Sequence, residues 1–133
     1  MEKHVTSLEW SRKLKEAGWK KGTEFWWIIT STTNWHVSYG KPDKTWQKMN
    51  QGNFYPAPLA TELLEELPNS LYTLDSRYHF YLSWESVNDK KQYNCELTPH
   101  EPVCERTLSL AKTVYGETLP NALAAMWCYL NKN

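Results

Sequence analysis

Hydrophobic and polar positions alternate along this chain with two different periods, and the switch between them marks its elements. Trp10, Leu14 and Ala17 recur at helical spacing, with Arg12, Lys13, Lys15 and Glu16 on the other side. Thr6-Ser-Leu-Glu9 reads as a capping box at the start of this helix, and Gly18 is placed to end it, which predicts an amphipathic helix over about residues 7 to 17. Glu24-Phe-Trp-Trp-Ile-Ile-Thr30 is dense in aromatic and β-branched residues, as expected of a central strand that is apolar on both sides. After a turn at residues 31–34, Trp35, Val37 and Tyr39 alternate with His36 and Ser38 and pair back as a hairpin. Residues 44–53 are polar with one large apolar residue, Trp46, and read as a loop or short edge strand leading into the next helix.

The densest signal is Asn53-Phe-Tyr-Pro-Ala-Pro-Leu-Ala-Thr-Glu-Leu-Leu-Glu-Glu-Leu-Pro68. Its prolines hold the residues before them extended, and Pro58 has the φ suited to a first helical turn. Leu59, Leu63, Leu64 and Leu67 then share one helical face until Pro68 closes the element, so Phe54 and Tyr55 are expected on a rigid loop. Leu71 to Leu74 reads as a strand. Tyr78, Phe80, Leu82 and Trp84 alternate with His79, Tyr81, Ser83 and Glu85 as a half-buried strand, and Asn88-Asp-Lys90 turns the chain into a strand carrying Tyr93, Cys95 and Leu97. A loop is expected from Thr98 to Val103. Thr107 to Val114 reads as a strand or a helix, and residues 115–118 break the pattern. Thr118 caps a last helix in which Leu119, Leu123, Met126, Trp127 and Leu130 share a face.

Strands arriving in neighbouring pairs, interrupted by amphipathic helices, predict a single α+β domain. Its antiparallel sheet has about five or six strands packed against two or three helices. The 133 residues suffice for one such core.

Charge removes several functions. Fifteen Lys and Arg balance fifteen Asp and Glu, so the basic stripe of a duplex nucleic-acid binder is missing. No apolar run reaches the length of a membrane span, which makes a cytoplasmic protein the expectation. Cys95, Cys104 and Cys128 form no C-x-x-C pair and fit reduced thiols. Cys95, His100 and Cys104 match no structural zinc pattern, and no metal or other cofactor is expected. Neither a phosphate-binding glycine loop nor a hydrolase or metalloprotease signature occurs. The one catalytic pattern is a pair of H-x-[ST] triplets, His4-Val-Thr6 and His36-Val-Ser38, of the kind that serves two-histidine phosphoesterases.

Aromatic content then changes the picture. Eight Trp and eight Tyr stand beside three Phe, and rings with a polar edge are favoured where a partner is met. Trp26, Trp27, Trp46, Tyr55 and Trp84, with His36 and Arg77, are the candidate ligand-binding residues, supported by Trp35, Tyr81, Lys41, Lys44 and Arg106. Two rings and one cation suffice to hold a small nucleotide, since stacking one base contributes about 1 to 3 kcal/mol.

Ser7-Leu-Glu-Trp-Ser-Arg-Lys-Leu-Lys-Glu-Ala-Gly18, Glu24-Phe-Trp-Trp27, Tyr55-Pro-Ala-Pro-Leu-Ala-Thr-Glu-Leu-Leu-Glu-Glu-Leu-Pro68 and Leu119-Pro-Asn-Ala-Leu-Ala-Ala-Met-Trp-Cys-Tyr-Leu130 resemble a family of small accessory proteins of tailed phages and prophages. The resemblance implies action inside an infected bacterium. Some phage accessory proteins sequester nucleotide immune signals, such as cyclic ADP-ribose isomers or cyclic dinucleotides. A sponge of that kind, leaving its ligand uncleaved, is the expected function. The alternatives are a blocker of a host defence protein by direct contact and a phosphodiesterase that cleaves the signal. A homodimer is a further expectation.

Overall fold

The computed structural model describes residues 2–30, 34–50, 53–67, 70–72, 77–99 and 112–131. The architecture is α+β. Its strands divide between two antiparallel sheets instead of forming one: β1 (Phe25–Ile29), β2 (Trp35–Tyr39) and β3 (Phe54–Pro56) in the order β2-β1-β3, and β4 (Ser70–Tyr72), β5 (Arg77–Val87), β6 (Lys90–Pro99) and β7 (Lys112–Gly116) in sequence order. Four α-helices are described: α1 (Leu8–Glu16), α2 (Lys44–Asn50), α3 (Ala60–Glu66) and α4 (Leu119–Leu130).

Helix α1 begins one residue later than the capping box implies. Ser7 is the cap, its Oγ accepting from Trp10 N at 3.3 Å, while the Thr6 hydroxyl is fully buried 2.6 Å from Ser11 Oγ. Thr6 cannot cap from there, because its side chain is turned into the core. At the other end Gly18 has φ +96°, with Gly18 N donating to Lys15 O and Trp19 N to Leu14 O. These are the two bonds of a Schellman stop, and they put Trp19 and Leu14 together in the core.

Three further expectations change. Residues 44–50 are helical, because Asp43 Oδ1 accepts from Trp46 N at 2.8 Å and supplies a cap the polar composition disguised. Phe54 and Tyr55 lie in edge strand β3, where Trp27 faces Tyr55 and Ile28 faces Phe54, and Pro56 is tolerated because the strand has a free side. On α3, Leu63 and Leu67 are buried and Leu59 is half-buried at the N-cap, whereas Leu64 is 42% exposed and turned away from the core. Glu62 starts that helix, with Oε1 accepting from Leu59 N and Thr23 Oγ1, and Oε2 from Glu24 N. Pro68 lies outside the described residues. The loop expected from Thr98 starts later, because Thr98 and Pro99 continue β6 opposite His79 and Tyr78 of the equally long β5; residues 100–103 lie outside the described residues, as does the 107–111 part of the last expected strand.

Helix α4 is the centre of the molecule. Thr118 caps it, Pro120 occupies its first turn, and every residue from Ala122 to Trp127 is buried. It is therefore apolar nearly all round, not along one face, as expected of a helix packed on several sides. One core gathers Leu14 and Trp19 from the α1 end, Leu63 and Leu67 from α3, Cys95 and Leu97 from β6, and Leu123, Met126 and Trp127 from α4. Gly116 lets β7 pass close to the start of α4, since a Cβ there would stand 2.4 Å from Ala122 N. A second, smaller core of Val5, Trp27 and Ala57 joins the three-stranded sheet to the N-terminal segment, which bridges Val5 to Leu59 and bonds Thr6 N to Pro58 O.

Candidate functional site

A groove of about 670 Å³ opens between α1, β7 and α4. Trp10, Lys13, Glu16 and Ala17 line it from α1 and its C-terminal end, Lys112 and Val114 from β7, and Ala125, Cys128 and Tyr129 from α4. The amphipathic period of α1 creates one wall, because Trp10 lies beside the buried stripe and is only partly buried. The register of β7 creates another: Lys112 and Val114 stand opposite Leu97 and Cys95, on the sheet face that α4 covers.

Each wall presents a ring with an ammonium above it. Lys13 Nζ lies 4.3 Å from the centre of the Trp10 ring and 3.2 Å from Glu9 Oε1, and Lys112 Nζ lies 5.6 Å from the Tyr129 ring. Burial pushes the Cys128 thiol up to about 11, with Lys13 pulling weakly the other way, so at neutral pH the groove contains a thiol and not a thiolate nucleophile. Glu16 brings an exposed carboxylate that can accept from a donor edge or a sugar hydroxyl. The volume falls within the roughly 300 to 1,000 Å³ of small-molecule sites. Chemically the groove offers two stacking planes, two cations, of which Lys13 is already paired with Glu9, and one acceptor, which suits a planar, anionic ligand.

The residues singled out from sequence fall elsewhere and are split among three places. Trp26 and His36 share one face of the β2-β1-β3 sheet with Ile28, Ser38 and Phe54, and Trp46 comes to them from α2, its ring 6.0 Å from Phe54. Trp26 is buried, donates through Nε1 to Thr23 O and has Lys41 Nζ 5.5 Å above its ring. A hollow of about 210 Å³ beside them, bordered by Ile28, Ser38, Lys41, Asp43 and Trp46, is too small for a nucleotide.

Trp27 and Tyr55 occupy the opposite face. Trp27 is sealed in the smaller core with Nε1 donating to Thr6 O at 2.8 Å, and is therefore a structural residue. Tyr55 packs 5.5 Å from Trp35, with Arg12 Cζ 5.5 Å over each ring. Lys15 closes the sheet edge, donating to Phe54 O at 3.1 Å above the Phe54 and Tyr55 rings, and burial lowers its pKa. Trp84 stands far along the other sheet at 61% exposure, with Lys91 Nζ 4.3 Å over its ring. Arg77 opens β5 opposite Tyr72, and its side chain lies outside the described residues, as does Arg106 entirely.

The paired H-x-[ST] triplets are not assembled. His36 and Ser38 lie on the Trp26 face, whereas Thr6 belongs to the segment packed on the Trp27 face, and its hydroxyl is already engaged by Ser11. Among the described residues no group of three His, Cys, Asp or Glu is arranged to hold a metal ion, and no helix is long and apolar enough to cross a membrane. His100 and Cys104 lie outside the described residues.

Trp10, Lys13, Lys112 and Tyr129 escaped sequence reading because each sits in an element explained by its apolar stripe. A usable signal was present all the same: Trp10 is followed three residues later by a lysine, a spacing that places the cation over the ring on a helix. Comparison of the chain with protein-family models, with curated proteins and with solved structures found no match in any of the three.

Proposed function

We propose that this chain is a binding protein that takes up a small nucleotide in the groove between α1, β7 and α4 and holds it without cleaving it. The observation that carries the reading is the pairing of ring and cation on two walls of one ligand-sized hollow, Trp10 with Lys13 and Tyr129 with Lys112. A base stacks on a ring while the ammonium above it swings to a phosphate, exchanging a cation–π contact for a charge-assisted one. Because only the lysines have to change partners, the net charge of the chain can remain zero. The resemblance to phage accessory proteins makes a nucleotide immune signal of the cyclic ADP-ribose or cyclic dinucleotide type the ligand class, and sequestration from a host defence system the biological role.

Titration calorimetry and thermal shift with cyclic ADP-ribose isomers and cyclic dinucleotides test this directly. A ligand at one hundred times its Kd stabilises the native state by about 2.7 kcal/mol, and it should be recovered chemically intact after heating the complex. Trp10→Ala and Lys112→Ala should each weaken binding at least tenfold while the folded baseline persists. Altered nucleotide after incubation, or wild-type affinity in both variants, overturns the proposal.

A further inference from the structure

The smaller hollow, at the start of α2, lies in an unusual electrostatic setting. Between Tyr39 and Asn50 stand Lys41, Lys44 and Lys48 against a single acid, Asp43, in a chain whose total charge is zero. All three lysines are exposed. Lys13 pairs with Glu9 and Lys21 with Glu65 and Glu66, whereas among the described residues no carboxylate forms an ion pair with Lys41, Lys44 or Lys48. Lys44 and Lys48 are moreover four residues apart on α2 and so share one face, where like charges repel and weaken the helix. An anion held between them would relieve that repulsion.

Apolar chemistry accompanies the charge. The hollow of about 210 Å³ has Ile28, Pro42 and Trp46 as its apolar lining and Ser38, Lys41 and Asp43 as its polar one, with room for one large side chain. Its walls are fixed before anything enters. Gly40 N donates to Glu24 O at 2.7 Å, Gln47 Nε2 to Pro42 O at 2.6 Å and Trp46 N to Asp43 Oδ1 at 2.8 Å, so the segment between β2 and α2 is tied down along its length. A site formed in advance loses little binding energy to ordering. Tyr39 and Met49, at 75% and 78% the most exposed large apolar residues described, stand in the lining and one turn beyond Trp46 on α2.

The details select the partner. A single-stranded nucleic acid needs a row of open ring planes, but Trp26 is buried beneath Lys41, the Trp46 ring packs against Phe54, and the Tyr39 ring stands 5.6 Å from Phe25. All three cations are lysines, point charges without the fork by which arginine grips phosphate. An apolar socket beside unpaired ammoniums suits a peptide instead. Lys44 and Lys48 are about 6 Å apart along the helix axis, the reach of two residues of an extended chain, so acids at alternate positions match them.

We propose that the hollow and the lysine face of α2 form a docking site for an acidic, extended segment of a partner protein. One large apolar side chain enters the hollow while carboxylates beside it meet Lys41, Lys44 and Lys48. This surface shares no lining residue with the groove between α1, β7 and α4 and does not depend on what that groove holds.

Fluorescence anisotropy with the full chain tests it, using as probe a short fluorescein-labelled peptide of aspartate and glutamate around one central phenylalanine. The probe should bind in the micromolar range and be released as salt is raised, because these charges face solvent. Serine in place of its phenylalanine should weaken binding at least tenfold, and Ser38→Phe, which fills the hollow, should abolish that difference. Lys44→Glu separates recognition from folding. It sets a glutamate four residues before Lys48 in the first turn of α2, a favourable pair, so the melting temperature should hold or rise while affinity for the probe falls at least tenfold. Failure of the probe to bind overturns the proposal, as does equal affinity for the serine peptide or undiminished affinity in Lys44→Glu. So does tighter binding of an oligothymidylate of equal charge, or sedimentation showing that a second copy of the chain takes the site.

Discussion

Replacing Trp27 with phenylalanine distinguishes a ring that supports the fold from one that serves a ligand. The indole lies in the smaller core with Val5 and Ala57, and its Nε1 donates to Thr6 O at 2.8 Å. Thr6 O has one other contact, the Ser11 hydroxyl at 3.5 Å, so Trp27→Phe leaves a buried carbonyl almost without a donor. An unsatisfied buried acceptor costs about 1 to 3 kcal/mol. The void left by the missing five-membered ring adds roughly 1 kcal/mol, because the flanking Val5 and Ala57 are too small and too tightly held to fill it. The expected loss is about 2 to 4 kcal/mol, or a fall in Tm of roughly 10 °C for a domain of this size. Urea denaturation followed by circular dichroism measures it, with Trp84→Phe as the control: that exposed ring should shift stability by no more than about 0.5 kcal/mol. A Trp27→Phe protein as stable as the control would refute the assignment of Trp27 to the core.

Two other outcomes follow from single contacts. Gly116→Ala should lower stability by more than about 1 kcal/mol, read from the denaturation midpoint, because its Cβ would lie 2.4 Å from Ala122 N and only a backbone shift at the start of α4 relieves that. Burial, aided by Glu96, pushes the Cys95 thiol from 9.0 up to about 11. The folded state thus keeps a proton that the unfolded chain loses first, and stability present below pH 9 falls as pH rises toward 11, by about 2 to 3 kcal/mol from this group. Denaturation of the wild type and of Cys95→Ala across that range isolates the contribution as a difference in slope, and equal slopes would contradict it.

The fold was legible wherever local chemistry and tertiary packing agree. Gly18, Ser7, Thr118 and the Asn88-Asp89 turn act through their own backbone, and the pairing of β1 with β2 follows from adjacency and alternation. Legibility failed where a distant element decides. Leu82 and Trp84 alternate as core residues do, yet α4 stops short of them. Leu64 repeats at helical spacing but points to solvent, since α3 meets the core through Leu63 and Leu67. Residues 53–56 look like a loop by composition and become a strand because β1 has a second edge to fill. The groove was hidden for the same reason: it brings together Trp10 and Tyr129, residues 119 positions apart in a chain whose α1 and α4 converge only in three dimensions.

The aromatic surplus then acquires a physical explanation that covers both the core and the groove. Rings that are fully enclosed, such as Trp27, satisfy their N–H groups on backbone carbonyls, whereas Trp19 packs edge-on against Trp127 at 5.1 Å with its Nε1 unpartnered among the described residues. Five of the rings that are partly or largely exposed have a cation over them: Lys13 on Trp10, Arg12 between Trp35 and Tyr55, Lys91 on Trp84, Lys112 on Tyr129. A lysine laid across an indole keeps an otherwise exposed apolar face solvated at a gain of about 0.5 to 1 kcal/mol, little enough that a phosphate can take the ammonium away. The same arrangement has different consequences in different places. On the hairpin, Lys91 shields one side of Trp84; in the groove, Lys13 and Lys112 cover the planes on which, in the proposed reading, a base would stack and are the groups that would neutralise its phosphates. On the proposed reading, a cation that masks a ring in the groove is also the one that a charged ligand would recruit.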